Sequence, residues 1–383
     1  MGRLKKIVIA CDSFKGSLTS AQVASAAAGG VRRVLPEAEV VEVAVADGGE
    51  GTMAMLVEAL RGRYAEAQVS DPLGREITAR YGIVADREGT ATAVIEMAAA
   101  SGLTLLADGE RNPLLTSTRG TGQLICDAYG RGCRRFVVGI GGSATNDGGA
   151  GMLRALGVRL LDADGHDLPE GGAALQRLSR IDTSEGRSEI LRCPFTVICD
   201  VDNPLTGSQG ASAVFGPQKG ATASDVALFD SALSRYARCI ADATGRHVAS
   251  APGAGAAGGM GAAFLAFFDA RLRPGIDTTL DAIRFADIIR GADLIITGEG
   301  RLDSQTLRGK TPVGVLRHGR EEGIPVVAIG GAADDPEALC SAGFAAVLSI
   351  QPCPLTLAEA MEPATAAANV AATAAQLVRL INI

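Results

Sequence analysis

The chain has 383 residues, 47% of them hydrophobic, a net charge of -7 and no tryptophan. Such a length makes two domains, or one large one, with ample core, and the acidic balance argues against nucleic acid or an anionic membrane as main partner. Eight scattered cysteines without a C-x-x-C pair, three distant histidines and an N-terminus lacking a long apolar run point to reduced thiols in a cytoplasmic protein. They point away from a zinc site, a histidine triad, a signal peptide and a membrane span.

Residues 6–11 form an apolar run ending in Asp12-Ser13-Phe14-Lys15-Gly16-Ser17, after which Thr19 or Ser20 caps a helix with apolar positions at Val23, Ala27, Val31 and Val34. A buried strand, a polar loop and a capped helix open a parallel α/β sheet, whose ligands sit beyond the strands' carboxyl ends, where Asp12, Ser13, Lys15 and Ser17 fall. Lys15 suits a phosphate or carboxylate, or is a solvated loop lysine. Residues 39–46 read as the second strand, ending in Asp47-Gly48-Gly49-Glu50-Gly51-Thr52. Acids among glycines there suit a metal or a hydroxyl group, or cap the next helix. After a turn at residues 71–75 the pattern changes. Residues 76–84 and 90–96 read as an antiparallel pair, which puts a domain boundary near residue 75. The run Thr116-Ser117-Thr118-Arg119 then precedes a helix and suits an anion or a plain cap.

The densest motif is Gly139-Ile140-Gly141-Gly142-Ser143-Ala144-Thr145-Asn146-Asp147-Gly148-Gly149, between a strand at 135–138 and a helix from Ala150. Glycines let the backbone take positive φ and approach a ligand, and hydroxyls and amides at a helix start bind anions. Asp147 adds a carboxylate suited to Mg²⁺. A phosphate-plus-metal loop is the main reading, and a plain connection is one alternative. Another is a dinucleotide site, because Gly139, Gly141 and Ala144, with Asp162 further on, match that spacing. Against it, residues 145–149 stand where the helix should already run.

Further on, a strand at 195–199 runs into Asp200-Val201-Asp202-Asn203-Pro204, suited to a base, a metal ligand or a sealed turn. Phe215-Gly216-Pro217-Gln218-Lys219-Gly220 is a second turn with a basic residue. An amphipathic helix at 223–244 and a glycine run at 252–261 follow. A strand at 292–297 then leads into a loop with Glu299, Arg301, Asp303, Gln305, Thr306 and Lys310. Gly309-Lys310-Thr311 imitates a Walker A ending, but Ser304 holds the first glycine position and the loop lies too far from its strand, so a P-loop is rejected. Strands at 324–331 and 345–350 and a closing helix at 357–380 resemble the opening units. The expected organisation is therefore a doubly wound, mainly parallel α/β domain from residues 1–75 and 290–383, with a second α/β domain, 76–289, inserted and the site in the cleft between them.

The loops share glycine with acids and hydroxyls, some with Lys or Arg, and no nucleophile elbow or Cys-His pair accompanies them. Phosphoryl transfer fits, because it needs positioning, charge neutralisation and one carboxylate to take a hydroxyl proton. A nicotinamide-dependent hydroxy-acid oxidoreductase and a non-catalytic sugar-acid sensor are the other readings. Five motifs in order resemble the type I glycerate kinase family: Asp12-Ser13-Phe14-Lys15-Gly16-Ser17, Ala46-Asp47-Gly48-Gly49-Glu50-Gly51-Thr52, residues 141–149, Asp202-Asn203-Pro204-Leu205 and Gly298-Glu299-Gly300-Arg301-Leu302-Asp303. The resemblance implies ATP- and Mg²⁺-dependent phosphorylation of D-glycerate, usually on the 2-hydroxyl, giving 2-phosphoglycerate, by two α/β domains; sequence leaves a monomer and a homodimer both open. Within that resemblance, roles follow from chemistry. Lys15 and Arg301 would hold the glycerate carboxylate or the transferring phosphate, and Asp202 or Asp303 would be the base. Asp12, Ser13, Glu50, Glu299, Gln305 and Lys310 would contact substrate. Gly141, Gly142, Ser143, Thr145, Asn146 and Gly148 would hold the nucleotide, and Asp47 and Asp147 the metal.

Overall fold

A computed structural model describes residues 4–45, 51–85 and 89–382. Its strands, in chain order, are β1 (Lys6–Cys11), β2 (Glu39–Ala44), β3 (Arg63–Ser70), β4 (Glu76–Ala85), β5 (Ala91–Glu96), β6 (Arg135–Gly139), β7 (Arg159–Leu161), β8 (Arg180–Asp182), β9 (Pro194–Ile198), β10 (Asp269–Arg273), β11 (Leu294–Leu302), β12 (Val326–Ala333) and β13 (Ala346–Ser349). They fall into two compact units, Met1–Asp47 with Gly275–Ile383, and Gly48–Pro274.

In the discontinuous unit the strand order is β13-β12-β11-β1-β2, and every pairing is parallel. The side chains of β1 show why helices cover both faces. Ile7, Ile9 and Cys11 pack with Val23, Ala27 and Val31 of helix Ser20–Val34 and with Val370 and Ala374 of helix Pro363–Ile381. Val8 and Ala10, on the opposite face, pack with Ile276, Leu280, Phe285 and Val315. A strand buried on both sides reads as a continuous apolar run. Thr19 starts its helix with a capping box: its hydroxyl accepts from Gln22 N at 3.3 Å, and Gln22 Oε1 accepts from Thr19 N at 2.8 Å. From β1 the chain winds outward to β2, then returns on the other side of β1 at β11 and winds outward to β12 and β13. Between β1 and β11 lies the switch point, the place where such sheets open a crevice for ligands.

The second unit has the order β10-β9-β6-β5-β4-β3, with β3, β4 and β5 antiparallel and β5, β6, β9 and β10 parallel. Phe136 and Phe195 stack across β6 and β9 with centroids 4.5 Å apart, and Phe264 and Phe268 pack beside them. β7 and β8 make a separate antiparallel pair.

Boundaries near residues 75 and 290 are corrected to 47/48 and 274/275. β3 pairs along its length with β4 and belongs to the second unit. Its sequence, Arg-Tyr-Ala-Glu-Ala-Gln-Val-Ser, has too few β-branched residues to announce a strand. Residues 275–289 instead bury Ile276, Leu280, Phe285 and Ile289 in the first unit's core. β11 also runs on to Leu302, pairing Glu299 with Gly330 and Arg301 with Ala332, where sequence suggested a loop after Thr297.

The closing helix Pro363–Ile381 has the length and apolarity to cross a membrane, but Ala366, Val370, Ala374 and Val378 bury one face in the unit's core. Its approach to helix Ser20–Val34 is close enough that a Cβ on Gly30 would stand 2.0 Å from the Ala371 carbonyl oxygen. Gly30→Ala should therefore destabilise the protein by about 1–3 kcal/mol through overpacking, although helix propensity alone would stabilise it by about 1 kcal/mol. A thermal midpoint that rises in this variant would show that the two helices do not pack so closely.

Candidate functional site

The first unit's site is built by the switch point. β1 ends where Cys11 pairs with Gly298, and Asp12 N donates to Gly298 O at 2.8 Å. The loop after β1 and the far half of β11 therefore face one cavity of about 800 Å³, whose wall includes Asp12, Ser13, Lys15, Glu299, Arg301 and Lys310. Its lining also includes the apolar side chains of Phe14, Ile350, Leu355, Leu357 and Met361. Asp12 is buried and its carboxylate accepts from Ser13 N at 2.6 Å and Thr311 Oγ1 at 3.0 Å. Glu299 is 8% exposed; it accepts from Thr306 Oγ1 at 2.6 Å and lies 3.3 Å from Lys310 Nζ. Burial raises the Glu299 pKa, and Thr306 and Lys310 only partly offset it. Lys15 is exposed and makes no ion pair among the described residues. Arg301 pairs with Asp334 at 3.3 Å on the surface, a contact weak enough to exchange for a ligand anion.

The second unit's site follows from its parallel strands. β6 and β9 end side by side, so Gly141, Gly142 and Ser143 after β6 and Asp200 after β9 share a cavity of about 400 Å³. Lys219 joins them from the 3₁₀ turn Pro217–Lys219. Its Nζ is buried and donates to Ser143 Oγ and to Thr145 O, both at 2.7 Å. Burial pushes the Lys219 pKa down to about 7, against a smaller opposing pull from Asp147.

Much of the glycine loop serves itself. Asp147 is fully buried, and its oxygens accept from Thr118 N (2.9 Å), Thr118 Oγ1 (2.8 Å), Gly149 N (3.1 Å) and Gly151 N (3.2 Å). Burial still raises its pKa, the four donors notwithstanding. A carboxylate so enclosed anchors the loop, so the metal role expected of Asp147 is set aside. Thr145 and Asn146 are also fully buried and off the cavity wall, with Asn146 Nδ2 donating to Ser212 Oγ at 2.9 Å. Gly148 takes φ +64°, where a Cβ would meet the Tyr236 ring at 2.6 Å, so packing alone requires a glycine there. The run at 116–119 is bracing too: Thr116 Oγ1 donates to Ala144 O at 2.9 Å, and Ser117 and Arg119 bond Glu170.

Of the residues expected at a site, the structure thus gathers Asp12, Ser13, Lys15, Glu299, Arg301 and Lys310 at one cavity, and Gly141, Gly142 and Ser143 at the other. Neither expected base lines either of these two cavities. Asp303 closes a turn by accepting from Gln305 N at 2.8 Å, and Asp202 is exposed beyond the wall that Asp200 joins. Gln305, exposed in that turn, is off the wall as well. Asp47 and Glu50 lie outside the described residues. The dinucleotide spacing loses its geometry, since the helix after Gly139 begins only at Ala150, and Asp162 bonds the amides of its own turn at Asp164 and His166. Lys219 was visible in sequence only as a basic residue in a turn; its partners are 76 and 74 residues away.

A family model described as the glycerate kinase family matches residues 7–382. The chain is 49% identical over 360 residues to a glycerate kinase of Halalkalibacterium halodurans, covering 94% of each. It is 46% identical over 376 residues to the glycerate 2-kinase of Escherichia coli K12, covering 97% of this chain and 98% of that one. A crystal structure described as glycerate kinase 2 of Salmonella typhimurium LT2 matches with a TM-score of 0.87 at 46% identity, covering 99% of this chain and 98% of that one.

The anchoring of Asp147 has a measurable consequence. Asp147→Ala leaves buried donors unpaired, each costing about 1–3 kcal/mol, so denaturant unfolding should show a loss of roughly 3 kcal/mol or more. A variant as stable as the parent would mean that the carboxylate does not hold the loop.

Proposed function

Since the chain belongs to the glycerate kinase family and is a phosphotransferase, we propose that it moves the γ-phosphoryl group of ATP to the 2-hydroxyl of D-glycerate, giving 2-phosphoglycerate and ADP. The observation that supports this reading most is the switch-point cavity, where Lys15, Arg301 and Lys310 stand with Asp12 and Glu299. A small hydroxy acid asks for that set: cations for its carboxylate and a carboxylate for its hydroxyl proton.

Lys15 and Arg301 hold the acid's carboxylate and so orient its 2-hydroxyl. Glu299 takes the hydroxyl proton, since burial gives it a higher proton affinity than an exposed carboxylate. Once protonated, Glu299 no longer neutralises Lys310, whose ammonium, 3.3 Å away, turns to the phosphoryl oxygens. Asp12 and Ser13 line the same wall as substrate contacts. In the second unit, Gly141, Gly142 and Ser143 receive nucleotide phosphates; the buried Lys219 cation beside Ser143 fits an anionic group there. When bound, ATP supplies the phosphoryl group, and Mg²⁺ neutralises its charge. Mg²⁺ keeps several waters and needs only one or two carboxylates besides phosphate oxygens. Asp47 is the carboxylate proposed for it, on the chemistry of the Asp47-Gly48-Gly49-Glu50 stretch.

Incubation with MgATP and D-glycerate should release ADP only when the acid is present, and ³¹P NMR should show 2-phosphoglycerate. A 3-phosphoglycerate signal would overturn the position of transfer, and absence of turnover would overturn the substrate. Glu299→Gln should lower kcat by about 10²–10⁴, the usual contribution of a general base, while Asp202→Asn stays within a few-fold of the parent. The reverse pattern would return the base to Asp202.

A further inference from the structure

Lys219 has a costly position. It is 2% exposed, yet no carboxylate lies within ion-pair distance of its Nζ among the described residues. Asp147, the nearest influence on it, has its oxygens taken by Thr118, Gly149 and Gly151. The partners of the ammonium are neutral, Ser143 Oγ and Thr145 O, and they use two of its three N–H donors. Burying a cation without a counter-charge is unfavourable and lowers its hold on the proton unless an anion completes the site. The turn that carries it is nonetheless held rigidly: Gly220 takes φ +96°, and a Cβ there would stand 2.3 Å from Arg111 O.

We propose that Lys219 is a phosphate-holding residue of the nucleotide site, its ammonium and the Ser143 hydroxyl together binding one phosphate at the mouth of Gly141 and Gly142. The assignment rests on the kinase reading above. Ser143 Oγ accepts from Lys219, so its own hydrogen is left to donate, and the pair presents two donors to one anion. The same wall explains why the anion is a nucleotide's and not the small acid's. Leu103, Ile140, Ile198, Val201 and Phe215 make most of it apolar. Glycerate would set its hydroxyls against hydrocarbon there, whereas a nucleoside brings a ring face that hydrocarbon suits. The cavity's volume, about 400 Å³, lies in the range of small-molecule sites.

The test separates the two substrates. MgATP and adenosine binding is measured by displacement of a fluorescent ATP analogue, and KM is measured for ATP and D-glycerate, in the parent, Lys219→Met and Ser143→Ala. Lys219→Met should weaken MgATP at least tenfold, leave adenosine within twofold and leave the KM for D-glycerate within twofold. Ser143→Ala, which keeps the ammonium, should weaken MgATP several-fold with the same selectivity, and it carries the test if Lys219→Met does not fold. Unchanged MgATP affinity in folded variants would overturn the proposal, as would equal losses for adenosine and MgATP. A rise in the KM for D-glycerate alone would overturn it in favour of carboxylate binding. If the parent binds MgATP but phosphorylates no glycerate, the function fails while the Lys219 comparison can still be read from binding.

Discussion

The parallel pairing of β1 with β11 is the constraint from which the first unit's organisation follows. It joins residues 7–11 to 294–298, so the chain must leave the unit after its second strand and return some 230 residues later by sequence count. Between the two strands lies the reversal of winding direction, and the side chains that follow each strand come to one edge. Asp12 and Glu299, distant in sequence, become neighbours because Asp12 N bonds Gly298 O. Opposite charges are then available without a long loop to hold them. The carboxylates are braced by hydroxyls of Thr311 and Thr306, whose short side chains lose little freedom when they are fixed.

The second unit solves a different problem. Its glycine loop carries buried polar groups, and each has to be satisfied or compensated. Asp147 gathers donors from Thr118 and from the first turn of the helix that follows, whereas Thr145 Oγ1 and Asn146 Oδ1 stay buried without a hydrogen-bond partner among the described residues. The glycines at 148 and 149 allow left-handed backbone where neighbouring side chains leave no space for a Cβ. The result is a loop whose inner half is structural and whose outer half, Gly141 to Ser143, is open to the cavity. Lys219 borders that division, bonded to a hydroxyl of the outer half and a carbonyl of the inner.

The two units therefore place charge in contrasting ways. In the first, cations and carboxylates share one wall and partly neutralise each other. In the second, the Lys219 amine is buried against two neutral oxygens, with no carboxylate at ion-pair distance among the described residues.

Much of this was legible in the chain itself. The apolar run of β1, the capped helix after it and the glycine loop after β6 are local patterns, and local chemistry decides them. So is the composition of the loops that suggested phosphoryl transfer, because it is read residue by residue along the chain. What sequence could not decide was direction. Asp147, Thr145 and Asn146 have the composition of ligand groups but face inward, because donors from residues 118, 149 and 151 converge on the Asp147 carboxylate once the helices pack. Lys219 reads as an ordinary turn lysine, because the oxygens that bury it belong to a loop more than 70 residues earlier. Alternation and capping are written between neighbours along the chain; burial and charge pairing are written between residues that only the fold brings together.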